Sequence, residues 1–334
     1  MQVKQLSHLI EIWKLVDKDP GTKSILLSSG GVHIEGMHVG SSRRAKLPLK
    51  KNIGVDGEML TGALGLFPAD ANITIKQTKA SLILNAEGRR AILRIHTGAK
   101  PGRISFSDAK EFDSTALRAA FPFLKACTSG GVVTPILTGI HFAPGGVLEA
   151  TDAGQRSGRL RLSLPFKTSG QIVPAADLET ALSLLTKKIA MKFARGHLYL
   201  RDKRTTIKIT LLQGKYPDMS RLPKPDTYKY QIKLSKAQID TAARAAVLLD
   251  SDRLVTFTIK EGLVSWIVQG QETGGFREPI GKTKLPDVEI VFDAHWLDSA
   301  QYVSGKIRLR YNDGRSPVLF TGNKRLLWMS PVVG

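Results

Sequence analysis

The sequence is poor in the residues on which disulfide-rich folds and metal centres depend. Cys127 is the only cysteine among 334 residues, which excludes a disulfide framework and a cysteine-based zinc site and fits a reducing, cytoplasmic compartment. The seven histidines show no metal-ligand spacing, so neither a metal ion nor another cofactor is expected. No apolar run approaches the ~18 residues that a membrane-spanning helix needs. Residues 7–18 instead predict an amphipathic helix, and no signal peptide.

Motifs for catalysis are also missing. The sequence has no GxSxG nucleophile motif and no pair of carboxylates that reads as an acid and base couple. The stretch GFREPIGKTK at 275–284 resembles a phosphate-binding loop, but it is one residue too long and no strand precedes it. A protein without enzymatic activity is therefore predicted, and an enzyme acting on nucleic acid is the weaker alternative.

Negative charge is the last scarce feature. Lys and Arg number 49 against 29 Asp and Glu, which gives a formal net charge of +20. The excess is spread along the chain and is not gathered in a tail. Such a field favours polyanionic partners, nucleic acid first and an anionic membrane second.

The chain contains a threefold internal repeat. The segments ILLSSGGVHIEG, GIHFAPGGVLEATD and VTFTIKEGLVSWIV each show a strand, a tight glycine turn and a second strand. The turn glycines Gly31, Gly146 and Gly262 are separated by 115 and 116 residues. A later strand in each copy, at Ile53, Ile172 and Ile290, repeats after 119 and 118 residues and leads into a helix.

The repeat predicts an α+β fold of three tandem domains, each with two helices and about eight short strands. Helices are expected at 7–18, 113–121 and 235–249, with N-caps at Ser7, at Asp113 or Ser114, and at Ser235. The Gly- and Pro-rich joins at 98–103 and 222–228 place the domains at 1–103, 104–225 and 226–334.

Several local motifs resemble those of one known family. TPILTGIHF, ATD, QIVPAADLETALSLL, QGKYPDMSRLP and ARAAVLL, together with the closing LLWMSPVVG, are similar in order and separation to the β sliding clamp of bacterial DNA polymerases. The resemblance covers nearly the whole chain and is sharpest in the second and third domains. The short first domain and the divergent sequence suggest a clamp encoded by a virus or mobile element.

The resemblance implies a closed ring of two protomers that encircles double-stranded DNA and tethers a DNA polymerase after a clamp loader has opened it. A ring lined with cations can hold the phosphate backbone without base contacts and still slide. The candidate lining consists of the cations on predicted helices or at their ends: Lys14, Lys18, Arg118, Lys125, Lys187, Lys188, Lys236 and Arg244. Each of them is equally well explained as an ordinary solvated surface charge.

The family also has an apolar pocket between its second and third domains that captures short partner peptides. Matching this sequence to the family motif assigns to it Leu137, Thr151, Pro217, Arg221, Leu222, Trp296, Met329, Pro331 and Val332. The alternative is that these residues only pack the domain junction. The loop AGQRSGR departs from the family pattern and leaves Arg156 as a further candidate, and the tail lacks the family's usual basic and Leu ending.

A homodimer is expected because six such domains close the family's ring. The predicted contact pairs the strand around Ile92, Leu93 and Ile95 with the helix end at Val247 and Leu248, although the strand residues could equally be core. A charge of +20 exceeds what a channel requires, so the outer face is expected to bind something as well. The competing function is a static architectural DNA-binding protein with the same fold.

Overall fold

A computed structural model describes residues 2–3, 6–7, 24–35, 39–97, 105–131, 133–250, 252–270, 274–303 and 305–332. The predicted helix at 7–18, with its cap at Ser7 and with Lys14 and Lys18, lies outside these residues apart from its first position. Within them the fold is α+β, as predicted, with several antiparallel sheets and a small number of helices.

The strands are short and are numbered here along the chain. They are β1 Ser24–Ser28, β2 Gly31–Glu35, β3 Val39–Arg44, β4 Ile53–Asp56, β5 Thr74–Gln77, β6 Ser81–Ala86, β7 Arg89–Thr97, β8 Glu111–Asp113, β9 Gly139–Ala143, β10 Val147–Thr151, β11 Arg156–Arg161, β12 Gln171–Pro174, β13 Lys188–Ala194, β14 His197–Arg201, β15 Thr205–Thr210, β16 Tyr230–Leu234, β17 Leu254–Lys260, β18 Leu263–Gly270, β19 Gly274–Lys282, β20 Val288–Asp293, β21 Ile307–Tyr311, β22 Val318–Gly322 and β23 Arg325–Met329.

The described helices are α1 Gly57–Gly65, α2 Thr115–Ala126, α3 Ala175–Leu184, α4 Lys236–Leu249 and α5 Ala294–Leu297. Helix α4 begins with the predicted cap, since the Ser235 side chain accepts from the Gln238 amide and the Gln238 side chain returns the contact. Before α2, the Asp113 carboxylate accepts the Thr115 amide at 2.8 Å, whereas the Ser114 hydroxyl donates to the Lys187 carbonyl. Asp113 therefore supplies the capping contact.

The described chain divides into two compact units. The first comprises Met1–Thr115 and Ala176–Leu211 and is built on an eleven-stranded sheet with the order β5-β6-β7-β4-β1-β2-β3-β15-β14-β13-β8. Its core is aliphatic, with Ile25, Val55, Leu60 and Leu82 among its fully buried side chains. The predicted division into three domains, with boundaries near 103 and 225, stays a prediction.

The second unit comprises Ala116–Ala175 and Leu212–Gly334. It contains an eight-stranded sheet, β12-β9-β10-β11-β23-β22-β21-β16, and a four-stranded sheet, β19-β18-β17-β20. An aromatic cluster joins the two sheets, because Phe292 of β20 lies 6.0 Å from Phe320 of β22 and Phe257 of β17 lies 6.4 Å from Tyr311 of β21, measured between ring centroids. These rings form the core of the unit.

The three hairpins of the repeat are present, and their turns share a reason for glycine. Gly31 and Gly146 both have a positive φ, and a Cβ at either would overlap a carbonyl oxygen of the following strand, that of Arg43 or Leu162. In the second and third copies a hydrogen bond also joins the end of the third strand to the turn. The Leu162 amide donates to the Gly146 carbonyl, and the Thr283 amide donates to the Gly262 carbonyl. A glycine at the turn therefore allows the backbone at the third strand to pack closely against the turn.

The close approach of the third strand makes Gly146→Ala costly. Both the left-handed backbone and the overlap with the Leu162 carbonyl oppose the added methyl group, and we expect the free energy of unfolding to fall by about 2–4 kcal/mol. Gly145→Ala is the control, because Gly145 has a similar φ of 76° but a Cβ added there would meet nothing within 4 Å. Urea unfolding of both variants checks this, and equal losses would show that backbone strain alone sets the cost.

Candidate functional site

The segment 213–223 is fixed to the eight-stranded sheet by Tyr216. The Tyr216 ring stacks on His141, with the ring centroids 4.7 Å apart, and its hydroxyl accepts from the Thr151 amide at 3.0 Å and donates to the Gly139 carbonyl at 3.4 Å. Burial raises the pKa of this phenol, so it stays protonated. Pro217 is thereby held beside the end of β10.

Two further contacts fix the rest of the segment. The Asp218 side chain accepts from the Ser220 amide at 3.0 Å and starts a 3-10 turn, Met219–Arg221, in which Met219 is buried. Beyond it, the Trp328 indole donates to the Pro223 carbonyl at 2.9 Å. The segment therefore runs from β10 to β23 across one face of the sheet and brings Leu222 next to β23.

The carboxyl-terminal residues lie against the loop that follows β10. Met329 pairs with Arg156 in the sheet, the Ser330 amide donates to the Gln155 carbonyl at 2.9 Å, and the Val332 amide donates to the Val291 carbonyl at 2.8 Å. The tail thus connects the eight-stranded sheet with β20 of the four-stranded sheet.

Arg156, which the family pattern left open, has a defined place in this loop. The Asp152 carboxylate accepts the amides of Gly154, Gln155 and Arg156 and pairs with the Arg156 Nε at 3.0 Å. The same guanidinium reaches the Ser299 hydroxyl at 3.3 Å. The structure therefore assigns Arg156 to the scaffold of the loop, which the Asp152 carboxylate organises.

The predicted pocket residues differ in how much surface they offer. Leu137, Thr151, Met329 and Pro331 are buried, and Met329 is 0% exposed. Pro217, Leu222, Trp296 and Val332 are half-buried, and Arg221 is exposed. The contacts of Tyr216 and Trp328 bring Pro217 and Leu222 onto the sheet face that carries Thr151. Met329 follows Trp328 on β23 and projects from the opposite face of the sheet.

Three polar residues under Tyr216 were missed by sequence reasoning. Glu149 accepts from the Arg159 guanidinium at 2.6 Å and lies 2.9 Å from the His141 ring nitrogen. Their spacing on β9, β10 and β11 fits strand alternation, but which residues are opposite each other depends on the register. Burial alone would raise the pKa of Glu149, but the hydrogen bond with His141 and the charge of Arg159 outweigh it and hold that pKa below the usual value.

The predicted DNA-binding cations lie on helices or at strand starts. Lys125, Lys236 and Arg244 are exposed on α2 and α4, Arg118 is half-buried on α2, and Lys187 and Lys188 are exposed where β13 begins. Asp240 lies one turn from both Lys236 and Arg244 on α4 and was not predicted. This acid lowers the positive charge of that helix face.

The predicted dimer residues include exposed apolar groups in each unit. In the first unit Ile92 is 57% exposed on β7, Leu93 is buried and Ile95 is half-buried; in the second, Val247 is 59% and Leu248 81% exposed at the end of α4. Leu93 therefore belongs to the core, which was the alternative for the strand. Three other exposed apolar residues, Met59 and Leu66 near α1 and Leu263 on β18, were not singled out from the sequence.

Two kinds of feature are absent from the residues that the structure describes. They contain no group of three or more His, Cys, Asp or Glu side chains that could hold a metal ion. They also contain no helix of the length and apolar character needed to cross a membrane. Cys127 is buried, which raises the pKa of its thiol to about 12 and makes it an unreactive core residue.

Comparison with known proteins gives a partial sequence match. No family model matches the chain. The beta sliding clamps of Streptococcus pneumoniae serotype 4 (strain ATCC BAA-334 / TIGR4) and strain ATCC BAA-255 / R6 are each 28% identical over 176 residues, or 49% of this chain and 46% of theirs. The match thus spans about half the length of these curated relatives.

The structural likeness covers the whole chain. The DNA polymerase III subunit beta of Pseudomonas aeruginosa is similar with a TM-score of 0.84 at 19% identity, and the beta chain of Streptococcus pneumoniae TIGR4 with 0.85 at 18%. A putative beta subunit from Eubacterium rectale ATCC 33656 gives 0.86 at 14%. Each covers 100% of this chain and 98–99% of its own.

The chain therefore has the DNA-clamp fold. Within that class it is similar to the bacterial DNA polymerase III beta subunit, which confirms the resemblance and the fold class predicted from sequence.

The buried Glu149 carboxylate makes stability depend on pH. Because its pKa is lowered by folding, it stabilises the folded state above the unfolded pKa of ~4.3, and this contribution is lost as pH falls through the folded pKa. We expect Glu149→Gln to lower the free energy of unfolding by ~1–3 kcal/mol at neutral pH, with the gap to the wild type narrowing in acid. Urea titrations at neutral and acidic pH measure it. Exposed Glu289→Gln is the control, and a gap that does not change with pH would contradict the argument.

Proposed function

We propose that the chain is a DNA sliding clamp, a ring without enzymatic activity that encircles duplex DNA and tethers a replicative DNA polymerase. The observation that carries the proposal is the likeness of the entire chain to DNA polymerase III beta subunits, at TM-scores of 0.84–0.86. The net charge of +20 supports a polyanionic partner. The clamp would act in the cytoplasm, on the nucleoid.

Duplex DNA would be held by charge alone. Lys125, Lys236 and Arg244 extend from helices, and Lys187 and Lys188 from the start of β13, all exposed to solvent. Exposed cations on helices can follow a phosphate backbone without reading bases, so binding would be independent of sequence and weaken steeply with salt. Arg118 would contribute from α2, and Lys14 and Lys18 from the predicted first helix.

Ring closure would need a second copy of the chain. The first unit offers Ile92 and Ile95, and the second offers Val247 and Leu248; such apolar groups are usually covered in an assembly. Strand β19 is one of the two outer strands of its sheet, with one edge unpaired among the described strands. A head-to-tail homodimer would cover both features.

The ring predicts a topological link with circular DNA. The protein is first diluted until the rings dissociate, then mixed with a closed circular duplex and concentrated so that the rings form again around the DNA. The rings should then remain on the circle at high salt, because a linked ring can leave only through a DNA end. Cutting the circle once should release them. Gel filtration of the DNA fraction before and after cutting measures this.

Two variants separate the ring from its charge in the same experiment. Leu248→Glu places a charge in the proposed dimer contact, so it should appear as a monomer in light scattering and leave the uncut circle. Lys187→Glu with Lys188→Glu should reduce low-salt affinity for all sequences alike while remaining dimeric. Equal salt-induced release from cut and uncut circles, with a dimeric protein, would instead favour an architectural DNA-binding protein.

Polymerase and clamp loader would dock through short peptides at the pocket of the second unit. Two of the accessible apolar groups assigned to it, Pro217 and Leu222, lie on the segment held by Tyr216 and Trp328, and the other two are Trp296 and Val332. A preformed apolar surface suits an aromatic or aliphatic peptide residue because little ordering is needed on binding. Leu137, Thr151, Met329 and Pro331 would support it from beneath, with Arg221 at its rim.

Truncation at the pocket should weaken peptide binding without opening the ring. We expect Leu222→Ala to reduce affinity for the tail peptide of the cognate polymerase by ~1–2 kcal/mol, and Met329→Ala by ~1–3 kcal/mol together with lower stability, since Met329 is buried. Isothermal titration alongside a size measurement tests both. Val133→Ala, at a 97% exposed site, is the control. Full affinity in Leu222→Ala and Met329→Ala would leave these residues only a packing role.

A further inference from the structure

One face of the eight-stranded sheet carries cations that the proposed function does not use. Gly158 of β11 lies against α2, because a Cβ there would stand 2.7 Å from the Cys127 sulfur and 3.1 Å from Phe123. Since side chains alternate along a strand, Arg159 and Arg161 project from the opposite face. The strand register then decides which residues accompany them.

The register places five side chains in one row across this face. Arg159 is paired with Leu326, Leu326 with Thr321, Thr321 with Arg308, and Arg308 with Lys233. We call these five residues the cationic row. It crosses β11, β23, β22, β21 and β16 and so extends for ~19 Å at ~4.8 Å per strand step.

The cationic row lies between a wall and a cavity. The wall is the segment 223–225, whose Pro223 carbonyl accepts from Trp328 at 2.9 Å and whose Pro225 carbonyl accepts from Arg310 at 2.7 Å. On the other side is an open cavity of about 390 Å³. Its lining combines apolar groups with two exposed cations and the ion pair of Glu149 with Arg159, and includes Ala143, Pro144, Val147, Leu326, Arg161 and Lys324.

Polar groups in this groove are left without protein partners. Among the described residues, the structure shows no carboxylate paired with Arg161, Lys324, Arg308 or Lys233, whereas Arg159 is paired with Glu149. The hydroxyl of Thr321, a residue only 8% exposed in the floor of the row, has no hydrogen-bond partner. The four unpaired cations therefore supply the charge that a negatively charged ligand would meet.

We propose that this groove binds an acidic peptide segment in which aliphatic side chains alternate with carboxylates. An aliphatic side chain would fill the cavity beside Val147 and Leu326, while carboxylates would pair with Arg161, Lys324, Arg308 and Lys233. The groove is distinct from the proposed pocket at Pro217, although both adjoin the segment 213–223.

The lining favours a peptide over nucleic acid. A phosphate backbone presents no apolar group for the cavity, and a single strand is usually held by stacking its bases on exposed aromatic rings. Trp328, the aromatic residue nearest the cationic row on β23, is only 3% exposed beneath Pro223 and Arg159. The groove therefore combines charge with aliphatic surface and offers no stacking platform.

The test uses fluorescence polarisation with the full chain and a short fluorescein-labelled peptide of alternating Glu and Leu. Arg161→Gln with Lys324→Gln should weaken binding by roughly two- to thirtyfold, the effect of losing two exposed ion pairs. Lys203→Gln with Lys260→Gln removes the same charge at two exposed positions outside the groove and should have little effect. Replacing Leu by Ser, or Glu by Gln, in the peptide should also reduce affinity.

Each contrary result overturns a different part of the proposal. Equal losses in both double variants would show that only the overall charge matters. A Glu and Ser peptide that binds as well as the Glu and Leu peptide would show that the cavity is not used. If a labelled single-stranded oligonucleotide, and not the peptide, loses affinity in Arg161→Gln with Lys324→Gln, the face binds nucleic acid.

Discussion

The pairing of β11 with β23 is the contact on which the second unit depends. Five residue pairs, from Arg156 with Met329 to Leu160 with Arg325, join strands that lie far apart in the sequence and turn two smaller sheets into one of eight strands. An unpaired strand would expose a row of amides and carbonyls, so this ladder also removes an edge. The place of Trp328 under Pro223, the course of the tail and the cationic row all follow from its register.

Features set by local sequence could be predicted. The turns at Gly31 and Gly146, the short strands that contain Ile53 and Ile172, and the cap at Ser235 each depend on a few neighbouring residues, and the threefold repeat made them easy to recognise. The resemblance of ordered motifs then identified the fold, because it uses spacing along the whole chain.

Features that depend on the exact register between strands could not be predicted. Nothing near Glu149 indicates that it faces Arg159 and His141, and nothing near Met329 indicates that it is fully buried. Side-chain alternation gives the face of a strand but not its partner, since a shift of one residue reverses every side chain. The candidate pocket was therefore predicted as a set of residues, while their burial came only from the structure. The scaffold role of Arg156 came from its contacts with Asp152 and Ser299.

The same pairing has a consequence for synthesis on the ribosome. Strand β11 is synthesised long before β23, so the edge of β11 that pairs with β23 stays unpaired until almost the entire chain has left the ribosome. An unpaired strand edge can pair with another nascent chain, and charged side chains on the strand usually prevent this aggregation. Arg156, Arg159 and Arg161 lie on that one strand. Their charges would keep newly made copies apart and preserve the edge for its own last strand.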